Sequence, residues 1–147
     1  MFDYADVVYD SSNLKYTDRL QKLQNRAGRI ILGINPYKHI SNHELHQLLN
    51  WESLKSRRVK HTVSLVYKSL NNLSAPYMQN SFQFVSHPYN LRSDGNLSLP
   101  KPHTDYCKRM FSYRGASSFN NLPRDAKSSI SYSLFLKEID QHILKWL

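Results

Sequence analysis

The chain has 147 residues, 20 Lys and Arg against 11 Asp and Glu, and a formal net charge of +9 with its seven His counted neutral. Apolar residues at 40% and aromatics at 12% can fill a core, which excludes wholesale disorder, and the length suits one compact domain or one domain with a loosely attached tail. A single cysteine, Cys107, excludes a disulfide framework and a four-cysteine zinc site, and no apolar run approaches the roughly 20 residues that a membrane span needs.

The charge is unevenly placed. Residues 1–14 carry Asp3, Asp6 and Asp10 and no base; residues 15–68 carry eleven Lys/Arg against three acids; residues 69–147 carry nine against five. The acidic start, MFDYADVVYD, fits neither a secretory signal nor an Arg-rich transit peptide. The expectation is a basic protein that stays inside the cell, in nucleus or cytoplasm, has no membrane partner, and meets a polyanion.

From Asp18 to Ile34, Leu20, Leu23, Ala27, Ile30, Ile31 and Ile34 fall on one stripe at helical spacing. This predicts a helix packed through that stripe, capped by Thr17 or Asp18 and ended by Gly33 with Pro36. Ser41 and Glu44 form an S-x-x-E capping box ahead of Leu45, Leu48 and Leu49, which predicts a second helix from about Asn42 to Asn50. A third is expected from about Glu52 to Asn72, with Val59, Val63, Val66, Tyr67, Leu70 and Leu73 on its buried side. Ser74-Ala75-Pro76 should stop it, because proline cannot continue a helix.

From Ser86 to Pro102 the texture changes. Asp94-Gly95, between the short runs Tyr89–Arg92 and Leu97–Leu99, signals a hairpin. Cys107–Tyr113 reads as a further strand, and Gly115–Asp125 as a turn and helical loop ending at Leu122-Pro123. Leu136, Ile139, Ile143 and Trp146 predict a terminal helix over Ser133–Leu147. The fold expected is therefore mainly α with a small β component.

The bases form stripes. Arg19, Lys22, Arg26 and Arg29 recur at spacings of three, four and three beside the apolar stripe of the first helix. Arg57, Lys60, His61 and Lys68 share one face of the third, opposite its apolar side. Two such helices packed through their Leu, Ile and Val sides would present one cationic surface, suited to phosphates through contact and counterion release; solvated helix faces are the alternative. Lys108, Arg109 and Arg114 interleave with Phe111 and Tyr113. On a strand, Arg109, Phe111 and Tyr113 would share a face able to stack on unpaired bases, with packing of the aromatics against a neighbouring strand as the competing reading.

Catalytic patterns are sparse. His39, His43 and His46 cluster without a cysteine pair or an H-E-x-x-H, and so read as solvated. No Walker loop, GxGxxG or GxSxG is present. Two-metal polymerisation needs paired carboxylates; Asp3 and Asp6, a closely spaced acidic pair beside the aromatic Tyr4, read as helix surface. No metal, cofactor or catalytic residue is expected.

Several blocks carry a resemblance. Leu20–Ile34, LQKLQNRAGRIILGI, resembles the start of the region after the catalytic palm in reverse transcriptases of LINE-type non-LTR retrotransposons, and YADVVYDS over Tyr4–Ser11 is similar to the stretch before it. Leu54–His61 resembles the family's L-x-x-R-R-x-x-H, Tyr67–Tyr77 its YK-x-L-x-x-x-x-P-Y, and Tyr89–Arg92 its Y-x-L-R. Pro100–Thr104 resembles P-x-P-x-T, and Phe111–Pro123 resembles F-x-Y-x-G-A-x-x-W-N-x-L-P with Phe119 in place of Trp. The blocks run in order over about residues 4–140.

The resemblance implies a thumb-like helical domain over 1–74 and a C-terminal tail over 75–147, without the palm aspartates that hold Mg in the parental polymerase and without an endonuclease. The functional expectation is a nucleic-acid-binding remnant of a jockey-like RNA-directed DNA polymerase that does not polymerise. An open reading frame within a degraded element copy would account for it. Its partners would be RNA, DNA or an RNA–DNA hybrid, and the polymerase core of a related element. Its contacts would come from Arg19, Lys22, Arg26, Arg29, Arg57, Arg58, Lys60, His61, Lys68, Lys108, Arg109 and Arg114. An inert structural fragment and a domesticated DNA- or RNA-binding module are the alternatives.

Overall fold

The computed structural model describes residues 5–9, 14–35, 40–86 and 95–143. They are mainly helical: α1 (Asp6–Tyr9), α2 (Leu14–Ile31), α3 (Asn42–Leu49), α4 (Leu54–Leu70), α5 (Pro76–Gln79), α6 (Asp105–Arg109), α7 (Phe111–Asn120), α8 (Arg124–Lys127) and α9 (Tyr132–Ile143). The chain divides into two compact units, residues 1–58 and 59–147. The boundary expected at 74–75 falls inside the second unit.

In the first unit α2 begins before Asp18, because nothing in Leu14-Lys15-Tyr16 breaks a helix; Thr17 and Asp18 lie within it rather than capping it. It ends on Gly33, whose φ of 60° lets Gly33 N–H donate to Ile30 O (3.1 Å) and Ile34 N–H to Arg29 O (3.0 Å). Pro36 lies outside the described residues. α3 carries the expected box: Glu44 N–H donates to Ser41 Oγ (3.2 Å) and Ser41 N–H to Glu44 Oε2 (3.1 Å). Asn50 closes α3 in the left-handed region, at φ 51°.

The packing of α2 corrects the sequence reading. Leu23, Ile30 and Ile31 are 53%, 71% and 64% exposed, whereas Gln24 and Asn25 are buried. The helix is held by its amides instead. Gln21 Oε1 accepts from Leu54 N–H (2.9 Å), and Gln24 Nε2 donates to Glu52 O (3.2 Å). Asn25 Oδ1 receives Gln21 Nε2 (3.0 Å) and faces His46 Nε2 (2.8 Å). Gly28 admits α3 closely, with Leu49 Cδ1 2.8 Å from where a Cβ would stand. Asp6, expected on a surface, is buried; it opens α1, where the unsatisfied N–H groups of a first turn favour a carboxylate. Asp3 lies outside the described residues.

α4 is capped by Ser53, whose Oγ accepts from Ser56 N–H (3.1 Å). It stops earlier than expected. Asn72, at φ 58°, turns the chain so that Leu73 N–H reaches Lys68 O (2.8 Å). Pro76 therefore does not end α4; it opens α5, where its missing N–H costs nothing. Leu73, expected on the buried side, is largely exposed.

The second unit has an aromatic and aliphatic core: Val63, Val66, Tyr67, Phe82, Leu97, Ala116, Phe119, Leu122, Ala126, Phe135 and Ile139. Tyr67 stacks on Phe135 (centroids 4.1 Å apart) and donates its hydroxyl to Ser129 O (2.8 Å). The strand expected at 107–113 is helix. Thr104 caps α6, with Cys107 N–H donating to Thr104 Oγ1 (3.3 Å). Phe111, Gly115 and Phe119 then recur every four residues on α7, facing the core. At Gly115 a Cβ would lie 2.9 Å from Val66 Cγ2 and 3.1 Å from Phe82 Cζ, so α7 packs as closely as a side-chain-free position allows.

No strand occurs among the described residues; Leu97, expected in a hairpin with Tyr89–Arg92, instead forms an antiparallel bridge with Phe84. Tyr89–Arg92 and Asp94 lie outside them. Leu97 is instead fixed by α7, because Asn120 Oδ1 accepts its N–H (2.7 Å) and Asn120 Nδ2 donates to its carbonyl (2.9 Å). That pair does the work of a neighbouring strand. α9 buries Phe135 and Ile139 completely; Trp146 lies outside the described residues.

Candidate nucleic-acid interface

Around the axis of α2, three arcs follow one another. Gln21, Gln24, Asn25 and Gly28 form the packed arc already described. Leu20, Leu23, Ala27, Ile30 and Ile31 form an apolar arc. Arg19, Lys22, Arg26 and Arg29, with Lys15, form a basic arc that adjoins the apolar one. Arg19, Lys22 and Arg26 are exposed. Arg29 is half-buried and donates to Asn42 Oδ1 (2.9 Å), which fixes its guanidinium against α3. One acid, Asp18, stands among these five bases.

Elsewhere the structure reduces the set. Arg58 is 4% exposed, one turn after Leu54 at 2%, on the face of α4 that is turned inward. It cannot present its guanidinium to a surface ligand, and Arg58 drops out of the interface. Lys60 Nζ sits 2.6 Å from Asp140 on α9. Lys68 Nζ lies over the Tyr132 ring, 4.6 Å from its centroid. Arg57 and His61 are half-buried.

Lys108 pairs with Asp105 (3.0 Å), and that hydrogen bond raises its pKa while lowering that of Asp105. Arg109 is exposed, and its carbonyl accepts from Arg114 Nε (3.0 Å). Because α6 and α7 replace the strand, Arg109, Phe111 and Tyr113 do not share a face. Phe111 packs edge-on against Phe82 (5.5 Å), so packing, and not base stacking, claims it. The cations of the two expected stripes therefore differ: those of α2 look outward, while Lys60 and Lys68 are engaged with α9.

Sequence reasoning missed Asp140 and Tyr132 as partners because they lie far along the chain, and no local pattern links them. Lys127 was equally hidden. Its Nζ donates to Asn96 Oδ1 (2.8 Å) and Asn120 O (2.7 Å), and burial, then Arg124, lowers its pKa. His43 is exposed; His46 is half-buried and bound to Asn25; His39 lies outside the described residues. Among the described residues no group of three His, Cys, Asp or Glu could hold a metal, and no helix is long and apolar enough to cross a membrane. No protein-family model matches the chain, and neither a curated protein nor a solved structure matches it.

Proposed function

We propose that the chain binds nucleic acid through α2, as a thumb-and-tail relative of LINE-type reverse transcriptases that lacks the polymerase's catalytic residues. The observation that carries the binding is the basic arc: Arg19, Lys22 and Arg26 stand exposed at successive turns of one helix, with a single acid nearby. Side chains so spaced meet successive phosphates, and such contacts position a backbone without reading sequence. The ordered blocks from YADVVYDS to the Phe111–Pro123 stretch support the origin. RNA, DNA and their hybrid all offer the same phosphate chemistry.

Salt dependence tests this directly. Replacing Arg19, Lys22 and Arg26 with Gln keeps helix propensity and touches no packed residue. Binding to duplex DNA should weaken, and the slope of log K against log salt should flatten by about two to three units, near 0.9 for each lost phosphate contact. Replacing the exposed Lys101 and Lys137 with Gln should leave the slope within about one unit. An unchanged slope in the triple variant, or equal flattening in the control, would show that the arc holds no phosphates and would favour the inert-fragment reading.

A further inference from the structure

Phosphates use only the basic arc of α2 and leave the adjoining apolar arc in water. Leu23, Ile30 and Ile31 each expose more than half their surface, and the arc from Leu20 to Ile31 runs along the helix for about 17 Å at 1.5 Å per residue. Large aliphatic side chains contiguous along a helix, and not scattered singly, mark an interaction surface. The packed arc explains why they stay outside: α2 is already held through Gln21, Gln24 and Asn25, so the fold does not need them.

We propose that this arc seats an amphipathic helix of a partner protein, with an apolar stripe and a row of acids along one edge. The charge pattern selects that occupant. Bases border the apolar arc on one side only; the other side is the amide arc that α3 and residues 52–54 occupy. A flat anionic membrane meets both flanks of a helix alike and suits bases on both. A second copy of α2 laid antiparallel across the arc would bring the two basic rows to the same edge, where they repel. A helix with acids on one edge matches aliphatic to aliphatic and acid to base in a single register, the familiar helix-in-groove mode. The inference is separate from nucleic-acid binding, although the two ligands would compete for the basic arc.

Fluorescence anisotropy with the full chain tests it. The probe is a labelled synthetic helix of about five turns, with Leu at positions i, i+3, i+4 and i+7 and Glu along one edge; its twin carries Lys for Glu. The Glu probe should bind saturably, and the Lys twin should bind about tenfold more weakly or worse. Leu23→Gln with Ile30→Gln should cost about tenfold in probe affinity while duplex-DNA affinity stays within about twofold. DNA and probe are read separately, so failure of one reading does not imply failure of the other.

Four results would overturn the proposal. One is equal binding of the twins, or no binding by either. Another is binding of phosphatidylserine vesicles through Leu23 and Ile30 without binding of the probe. A third is a concentration-dependent dimer of the parent that the double variant abolishes. A melting temperature lowered by the double variant would mean that the arc is covered within the chain itself.

Discussion

Among the described residues of the first unit, side-chain amides join α2 to its neighbours beside the buried Leu45 and Leu54, whereas the second unit packs through aromatic rings and branched aliphatics. In the first unit the buried positions of α2 are Gln24, Asn25 and Gly28, and the hydrogen bonds of Gln21, Gln24 and Asn25 to Leu54 N–H, Glu52 O and His46 join it to its neighbours. In the second, Tyr67, Phe119, Phe135 and Ile139 are shielded almost completely. A hydrogen-bonded interface returns only about 1 kcal/mol per bond, since water offers the same bonds; a buried aromatic returns several times that. Stability therefore concentrates in the second unit, while the first buries Leu45 and Leu54 but spends polar groups on packing α2 and leaves Leu23, Ile30 and Ile31 outward. The region with the weaker glue is the one with the surface to bind something.

The largest effect should come from charging the apolar core. Val66 is fully buried between α4 and α7, and Val66→Asp places an unpaired carboxylate there. It should cost upwards of about 4 kcal/mol and abolish the cooperative melt of the second unit by calorimetry. A melting temperature within a few degrees of the parent would break the comparison outright.

The two helical glycines sharpen it. Gly115→Ala drives a methyl against Val66 and Phe82, both buried and walled in, and should cost about 1–3 kcal/mol by urea midpoint. Gly28→Ala meets the end of Leu49, a half-buried side chain able to swing aside. Removing a mid-helix glycine is worth about 0.5–1 kcal/mol, so this variant should be neutral or slightly more stable. Equal losses at both positions would mean that the first unit is packed as tightly as the second.

The smallest effect is a pH dependence confined to the first unit. Burial, and then neighbouring His43, hold the pKa of His46 below the ordinary imidazole value. A proton is thus taken up more readily when the chain unfolds. Stability is intact above about pH 6.5, the unfolded value, and is lost as pH falls through the lowered folded one. Measured between about pH 7.5 and 5, urea midpoints of His46→Gln should lack this part of the parent's decline. Identical profiles would place His46 in solvent.

Much of the helical order was legible, and the errors have physical causes. The S-x-x-E of Ser41 and Glu44 located α3 because a capping box is local chemistry. Gly33 located the end of α2 for the same reason. The end of α4 was misread because asparagine reaches the left-handed region less conspicuously than glycine; Asn72 acts before Pro76 has any say. The alternation Arg109, Phe111, Tyr113 suggested a strand, but Phe111, Gly115 and Phe119 form a four-residue recurrence that packs better on Val66 and Phe82.

Periodicity shows which residues share a face of α2, not which face is buried. Partners at Glu52, Leu54 and His46 decided that, and they lie outside the helix's own sequence. The same limit applies to the bases. The row Arg19, Lys22, Arg26 is local and was readable, whereas the burial of Arg58 and the pairing of Lys60 with Asp140 arise only in the folded chain.

Asn120 grips Leu97 by its backbone N–H and C=O. The grip is indifferent to which side chain stands at 97; only the cavity that Leu97 fills asks for a leucine. Two requirements that usually bind one residue are thereby separated, and sequence can drift at 97 among hydrophobes of similar volume without losing the attachment. At 120 no such drift is open: of the side chains this short, only an amide offers both a donor and an acceptor in this geometry. Mutational tolerance should thus be strongly lopsided across this one contact, broad on the extended segment and nearly absent on the helix that holds it.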